Sequence, residues 1–229
     1  MATTTIEPDL SRLRLLQLVS PSLPTGAFTY SQGLEWAVEC GWVSDEQTLR
    51  EWLISLMETG MSKLEIPLLA RLYRASAADD VATVTYWSRY LIACRETREL
   101  REEEQNRGRA MASLLPQLGI DLPPETLAAV KCCQLTGFAV AAQRWHIPLR
   151  QAAEGYLWGW LENIALAGVK IVPLGQTAGQ QIIALLSGEI PRLVNAGLTL
   201  PDDSIGASCP AQALASSLHE TQYTRIYRS

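Results

Sequence analysis

Apolar residues recur at intervals of three and four along most of the chain, which is the period of an α-helix. In the segment from Val81 to Cys94, for example, Val84, Trp87 and Leu91 share one face. No segment alternates apolar and polar residues for long enough to indicate a β-strand. The pattern therefore predicts an all-α fold.

Prolines, glycines and capping residues divide this pattern into separate helices. The predicted helices are Leu10 to Val19, Tyr30 to Cys40, a helix capped by Ser44 with Gln47, Leu64 to Ala75, Val81 to Cys94, Arg95 to Arg109, Glu125 to Trp145, a helix opened by Pro148, Gln181 to Leu186 and Ala211 to Leu218. We expect one compact helical domain of about eight to ten helices over residues 1–210. The segment 211–229 is expected to be a C-terminal helix and tail.

The segment from Tyr156 to Val172 is apolar on every side except at Glu162, Asn163 and Lys170. Such a segment is typical of a buried helix, which we expect to be central in the domain. It is not expected to span a membrane, because a span needs about 20 mostly apolar residues and two polar side chains stand in its middle. Pro173 ends the helix, and a segment rich in glycine and glutamine follows.

Charge is concentrated in the segment from Arg95 to Arg109. Oppositely charged residues stand there at i,i+4 spacing in three pairs, Arg95 with Glu99, Arg98 with Glu102 and Glu103 with Arg107. Each such pair stabilises a helix by only about 0.2–0.5 kcal/mol. The pattern favours a solvated helix face.

Composition restricts the partners and the compartment that the sequence allows. The net charge of −5 and pI near 5.2 indicate that nucleic acid is not a partner, since that role needs a basic surface. The five cysteines, an odd number without a Cys-x-x-Cys pair, indicate a reducing compartment. The segment from Met1 to Asp9 has neither the basic residues nor the apolar run of a signal peptide. We therefore expect a cytoplasmic protein.

The chemistry needed for catalysis is not evident in the sequence. The two histidines, His146 and His219, have no partner at metal-ligand spacing, and the adjacent Cys132 and Cys133 are poor joint ligands. The glycines before Gln180 lack the lysine of a phosphate-binding loop. We predict no catalytic residue, no metal site and no cofactor, so the sequence favours a binding protein over an enzyme.

Four segments together resemble the urease accessory protein UreF family. They are SPSLPTGAFTYSQGLEWAVECGWV (Ser20 to Val43), ETRELREEEQNRGRAM (Glu96 to Met111), WLENIALAGVKIVPLGQTAGQQ (Trp160 to Gln181) and HETQYTRIYRS (His219 to Ser229). They occur in the family's order and extend over nearly the whole chain.

This resemblance implies an all-helical homodimer that acts in the cytoplasm. Members of the family bind UreD, which is called UreH in some organisms, and the GTPase UreG. The complex docks on apo-urease and helps to insert nickel into it. An alternative is direct regulation of GTP hydrolysis by UreG, and an unrelated helical enzyme is the least favoured reading.

The resemblance also implies which residues bind partners. The candidates are Phe28, Tyr30, Glu35, Lys170, Pro173, Gly175, Gln176, Gln180, Tyr223, Arg225, Tyr227 and Arg228. Lys170 stands where many relatives carry arginine, which keeps the charge but loses bidentate geometry. Gln32 stands where many relatives carry histidine.

Each candidate group also has a structural reading. Lys170 is either a lysine with its head in water or a contact to UreG. The segment after Pro173 is either a helix-breaking turn or a partner-facing or dimer-facing surface. The loop around Phe28 either packs on its own core or faces UreG.

The tail is expected to place Tyr223, Ile226 and Tyr227 on one face of a helix. We expect segment 211–229 to become ordered on partner binding, folding against UreD. Deletion of Thr221–Ser229 is expected to leave the helical core folded.

Overall fold

A computed structural model describes residues 8–229, which form helices joined by short connections. The α-helices are α1 (Pro8–Val19), α2 (Leu34–Glu39), α3 (Glu46–Leu56), α4 (Ile66–Ala77), α5 (Val81–Cys94), α6 (Arg98–Gln117), α7 (Pro124–Cys132), α8 (Gln134–Arg144), α9 (Leu149–Ile171), α10 (Gln176–Ser187), α11 (Ile190–Thr199) and α12 (Pro210–His219). A π-helix, Met57–Glu65, joins α3 to α4, and 3₁₀ turns occupy Ala27–Thr29 and Asp202–Ser204. These residues contain no strand, so the all-α prediction is confirmed.

The helices pack as a single compact domain around one contiguous apolar core. Because α3, the π-helix and α4 run on without a break, the described residues make eleven separate helices, slightly more than the range we predicted. Within these residues, no helix is both long and apolar enough to cross a membrane.

Helix α8 is more completely buried than α9, the helix that we expected to be buried and central. Every residue from Gln134 to Ala142 is buried, whereas Trp158 on α9 is 36% exposed. Helix α1 covers another part of α9 and approaches it closely: a Cβ at Gly155 would lie 2.8 Å from Leu15 Cδ1. The apolar composition of α9 therefore marks a helix that is covered by neighbours on most sides but not all.

The predicted helix from Glu125 to Trp145 is in fact two helices, α7 and α8. The break is at Cys133, whose backbone is extended with φ −145° and ψ 119°. Glu104 of α6 stabilises the start of α8, because its Oε2 accepts the Gln134 N–H at 3.1 Å. A side chain thirty residues away supplies this cap, so local sequence could not indicate the break.

The helix predicted from Tyr30 begins only at Leu34. Gln32 and Gly33 precede it in the left-handed region, with φ of 55° and 86°, so a helix cannot run through them. A Cβ at Gly33 would also lie 2.9 Å from the Ser216 nitrogen of α12. This turn therefore brings the start of α2 and the C-terminal helix together.

The starts of α3 and α11 also differ from the predictions, and α10 begins at Gln176 rather than at Gln181. The cap of α3 is Asp45 with Thr48, rather than Ser44 with Gln47. Helix α11 is not among the predicted helices, because a proline such as Pro191 often marks the end of a helix. Proline is tolerated in a first helical turn, which is where it stands here.

The C-terminal helix α12 packs against α2 and α6. Its Ala215, Ser216 and His219 are buried, so the part of the chain beyond residue 210 shares the core of the domain. Residues 221–229 are not helical, and the predicted helical face of Tyr223, Ile226 and Tyr227 is wrong. That segment 211–229 becomes ordered on partner binding stays a prediction.

Candidate partner-binding surfaces

The tail, defined as residues 221–229, is held by the carboxylate of Glu35 on α2. Glu35 is 4% exposed. Its Oε1 accepts the Ile226 N–H at 2.6 Å, and its Oε2 accepts the Tyr227 N–H at 2.8 Å. One buried carboxylate therefore fixes two consecutive backbone groups of the tail.

A second buried carboxylate, Glu99 on α6, holds the tail through a side chain. Its Oε1 accepts a hydrogen bond from Arg225 Nη1 at 3.0 Å. Between the two carboxylates lies His219, which is completely buried. Its Nδ1 is 2.7 Å from Glu99 Oε2, and its Nε2 is 3.1 Å from Glu35 Oε2. We call Glu35, Glu99, His219 and Arg225 the tail cluster.

The end of the tail lies against the loop that precedes α2. The Ser31 N–H and hydroxyl both donate to the Ser229 carbonyl, the N–H at 2.7 Å. The Arg228 N–H donates to the Thr29 carbonyl at 2.9 Å. Phe28 and Tyr30 on the loop and the tail candidates therefore belong to one surface, which sequence reasoning had treated as two.

The residues of this surface divide into buried and exposed groups. Tyr30 and Tyr227 are buried, as is Glu35. Burial, together with the charge of Glu35, raises the pKa of Tyr227. Phe28 and Ile226 are exposed by 58% and 71%, and Tyr223 is fully exposed. We call the outer group the tail surface; its members are Phe28, Tyr223, Arg225, Ile226 and Arg228.

A polar cleft of about 500 Å³ lies between the tail and α6. Its lining includes Tyr30, Arg98, Asn106 and Arg228. Asn106 Nδ2 donates to the Tyr30 hydroxyl at 3.2 Å, which orients the phenol inside the cleft. The cleft lies next to the tail surface, and its polar side chains can form hydrogen bonds with a partner.

The charged helix α6 is not a solvated face, which corrects the prediction made for it. Glu99, Glu103 and Glu104 are each 4% exposed. The predicted Glu103–Arg107 pair forms at 2.7 Å, and Arg98–Glu102 is a loose contact at 3.9 Å. Arg95 instead pairs with Glu104 at 2.6 Å and with Glu65 of the π-helix at 2.7 Å.

These ion pairs make a second buried group, the core cluster of Glu65, Arg95, Glu103, Glu104 and Arg107. Burial opposes the charge of Arg95, yet Glu65 and Glu104 hold its pKa well above the ordinary value. Burial raises the pKa of Glu103, and Arg107 opposes that rise. A buried charge without an opposite charge beside it strongly destabilises a protein. These carboxylates therefore contribute to the stability of the fold as partners of Arg95 and Arg107.

Gln32 joins the core cluster to the loop before α2. Its Nε2 donates to both oxygens of Glu103, at 3.1 and 3.2 Å, and its Oε1 accepts the Trp160 indole N–H at 2.9 Å. Asn163 Nδ2 donates to the Ala27 carbonyl at 3.1 Å. The amide of Gln32 is thus fully engaged inside the chain.

The second group of candidates lies at the junction of α9 and α10. Lys170, Pro173, Gly175, Gln176 and Gln180 are all exposed, and we call them the PLGQ surface. Helix α10 begins at Gln176 and packs on α9 and α3, with Ile182, Ile183 and Leu186 buried. The buried residues on one face hold the helix, which leaves the glutamines on the other face in solvent.

The structure adds no sign of a metal centre. Among residues 8–229, no group of three or more His, Cys, Asp or Glu side chains is arranged to hold a metal ion. His146 is exposed, with φ 53°, at the turn after α8.

A cavity of about 70 Å³ beside the core cluster is large enough for roughly two water molecules.

Sequence reasoning missed the roles of Glu99 and His219. Both lie in segments that carry the family resemblance, but they are separated by 120 residues. No spacing rule relates residues so far apart. The one available signal was a histidine directly before the tail, in a chain with only one other histidine.

The chain is similar to known proteins over most of its length. A family model described as UreF matches residues 43–187. The chain is 50% identical over 222 residues to the urease accessory protein UreF of Alcanivorax borkumensis, which covers 94% of this chain and 97% of the relative. The chain belongs to the UreF family.

Other UreF proteins are similar over their whole length. UreF of Klebsiella pneumoniae is 47% identical over 222 residues, covering 95% of this chain and 97% of the relative. UreF of Alkalilimnicola ehrlichii is 45% identical over 227 residues, covering 99% and 100%. The name that these relatives share describes an accessory protein of urease. The match to the family model includes the PLGQ surface, which lies within residues 43–187.

Proposed function

We propose that this UreF-family protein bridges UreD and the GTPase UreG in the complex that inserts nickel into apo-urease. It acts as a homodimer in the cytoplasm and has no catalytic role of its own. The observation that carries the proposal is the tail surface: exposed aromatic and aliphatic side chains are presented on a backbone that buried charges hold in place.

The tail surface has the character of a protein-binding site. Isolated exposed apolar residues are common, but Phe28, Tyr223 and Ile226 belong to two segments joined by backbone hydrogen bonds. Aromatic residues and arginines are enriched at the centres of protein interfaces. The backbone anchors reduce the entropic cost of ordering the tail when a partner covers it.

The buried candidates support this surface from beneath. Tyr30, Glu35 and Tyr227 fix the positions of the loop and the tail, so their substitution would disturb partner binding indirectly. We assign the tail surface to UreD. We propose that UreD stabilises the docked tail described here and so completes the ordering of segment 211–229.

The PLGQ surface is assigned to UreG. Its polar side chains are exposed, and the buried face of α10 gives them a rigid support. Two separate surfaces on one rigid domain are what a bridging protein requires. The opposite assignment, with UreG on the tail surface, predicts that Gln176→Ala and Gln180→Ala bind UreG with normal affinity.

The experiment that tests the bridging function is co-expression with UreD and UreG, followed by size-exclusion chromatography with light scattering. We expect a complex of all three proteins built on a dimer of this chain. Leu218→Ala changes a partly exposed side chain that belongs to neither defined surface, so this variant should form the same complex. A chain that elutes alone in the presence of both partners would contradict the bridging function.

Direct regulation of UreG is the second candidate, favoured by the exposure of Lys170 at the end of α9. A positive charge supplied in trans can stabilise the transition state of GTP hydrolysis. The test measures GTP turnover by UreG at saturating concentrations of wild type, Lys170→Ala and the control Lys131→Ala. Lys131 is also exposed in the last turn of its helix. Equal turnover with all three would exclude this role for Lys170.

A further inference from the structure

His219 is in an unusual position for a buried histidine, because both of its ring nitrogens face carboxylates. Glu99 lies 2.7 Å from Nδ1, and Glu35 lies 3.1 Å from Nε2. The ring is completely buried, and both carboxylates are nearly so. At these distances both ring nitrogens contact the carboxylates directly, without a water molecule between them.

The chemistry of imidazole limits how these contacts can be satisfied. Neutral imidazole has one N–H, so it can donate to only one carboxylate and would turn a lone pair towards the other. The imidazolium form has two N–H groups and satisfies both. The only other solution places the additional proton on Glu35 or Glu99.

The remaining contacts favour ionised carboxylates. Glu35 already accepts two backbone N–H groups from the tail, and Glu99 accepts Arg225. Donors of this kind favour the charged form of a carboxylate. His219 is also the last residue of α12, where the helix dipole favours a cation.

We propose that His219 is an imidazolium that acts as the shared counter-ion of Glu35 and Glu99 and so positions both carboxylates to receive the tail. The charges of the two buried carboxylates, the buried imidazolium and the partly exposed Arg225 guanidinium then cancel within one cluster. Arg98 and Glu220, the sequence neighbours of Glu99 and His219, form a separate ion pair at 3.6 Å.

This arrangement gives His219 a positioning role for the tail surface. Without the imidazolium, two buried carboxylates would repel each other, and Glu35 would lose its alignment with the Ile226 and Tyr227 amides. The value of this role to the cell rests on the proposed function, because the tail surface is there assigned to UreD. The protonation state itself can be tested without any partner.

The first test is ¹⁵N NMR of the histidine rings in the wild-type chain at pH 7.5. The chain has two histidines, so the variant His146→Gln assigns both. His146 is exposed, so its ring resonances provide the comparison with a ring in solvent. We expect both ring nitrogens of His219 to be protonated. A single protonated nitrogen on His219 would overturn the proposal.

The second test follows the tail amides in His219→Gln, with His146→Gln as the matched control. Both N–H groups of a glutamine are on one nitrogen, so its amide cannot donate from the positions of the two ring nitrogens, and its oxygen would face one of the carboxylates. We expect the Ile226 and Tyr227 amide resonances to lose the downfield shift of a carboxylate hydrogen bond in His219→Gln only. Unchanged tail resonances in that variant would contradict the positioning role.

Affinity for UreD separates this inference from the proposed function. If both proposals hold, His219→Gln weakens UreD binding on the order of tenfold, whereas His146→Gln does not. If wild type does not bind UreD, the assignment of the tail surface fails, while the NMR result still decides the state of His219.

Discussion

The tail and the segment from Pro173 to Gln181 are both rich in polar residues, but they expose opposite kinds of side chain to solvent. In the tail, backbone amides and Arg225 are held by buried carboxylates, and aromatic and aliphatic side chains face solvent. In the segment after Pro173, the glutamines face solvent, and the aliphatic residues that follow anchor the helix.

The difference shows that polar residues in a recognisable segment can serve two purposes. In the tail, polar groups make the hydrogen bonds that fix its conformation. The apolar side chains then remain exposed for a partner to bind. At the PLGQ surface the polar side chains remain available for a partner. Substitutions should therefore affect stability at the tail and affinity alone at the PLGQ surface.

The largest effect is expected from Glu35→Gln. The variant removes one carboxylate from the tail cluster and leaves buried donors facing an amide group. Breaking a buried ion pair in this way costs about 3–5 kcal/mol in the free energy of unfolding. Chemical denaturation followed by circular dichroism measures the change.

The matched control for this prediction is Glu39→Gln. Glu39 lies on the same helix, α2, but is exposed. Its substitution should change the unfolding free energy by less than about 0.5 kcal/mol. Equal losses for the two variants would show that the tail cluster has no special role in stability.

Deletion of Thr221–Ser229 is expected to have a smaller effect on stability. The deletion removes donors from Glu35 and Glu99 but also opens these carboxylates to water, so the cost is about 1–3 kcal/mol. Helical circular dichroism at room temperature should be unchanged. Unfolding of the domain by this deletion would mean that the tail is part of the core.

Arg225→Ala should have a still smaller effect, of about 1 kcal/mol, because the guanidinium is partly exposed and Glu99 keeps its contact with His219. Arg228→Ala is the control, since the contact described for Arg228 is made by its backbone. A greater loss for Arg228→Ala in thermal unfolding would contradict this description of the tail.

The smallest effect on stability is expected at the PLGQ surface. Gln176→Ala and Gln180→Ala should each change the unfolding free energy by less than about 0.5 kcal/mol, because both side chains are exposed. Their affinity for UreG, measured by calorimetry, should nevertheless fall. Normal affinity in both variants would remove UreG from this surface.

Much of the fold could be predicted from helical periodicity and proline positions. The bounds of α5 were predicted correctly, and α9 was correctly predicted to open after Pro148. Errors arose where distant residues decide the local structure. Glu104 caps α8 at a break that an apolar sequence conceals, and the left-handed Gln32 delays the start of α2.

The tail cluster could not be predicted for the same reason. The charged residues of α6 have helical spacing typical of a solvated face, and only the fold brings Glu65 to Arg95 and His219 to Glu99. The segments that resemble the UreF family contain Glu35, Glu99, His219 and Arg225, but not Glu65 or Arg95. The resemblance did not indicate which side chains face inward.

The central claim is that Glu35 and Glu99 hold the tail in the conformation that a partner recognises. Hydrogen exchange measured on the complex with UreD tests it most directly. In wild type and Glu39→Gln, the amides of Ile226, Tyr227 and Arg228 should be protected, and in Glu35→Gln this protection should be lost while α8 remains protected. Equal protection of the tail in all three proteins would contradict the claim.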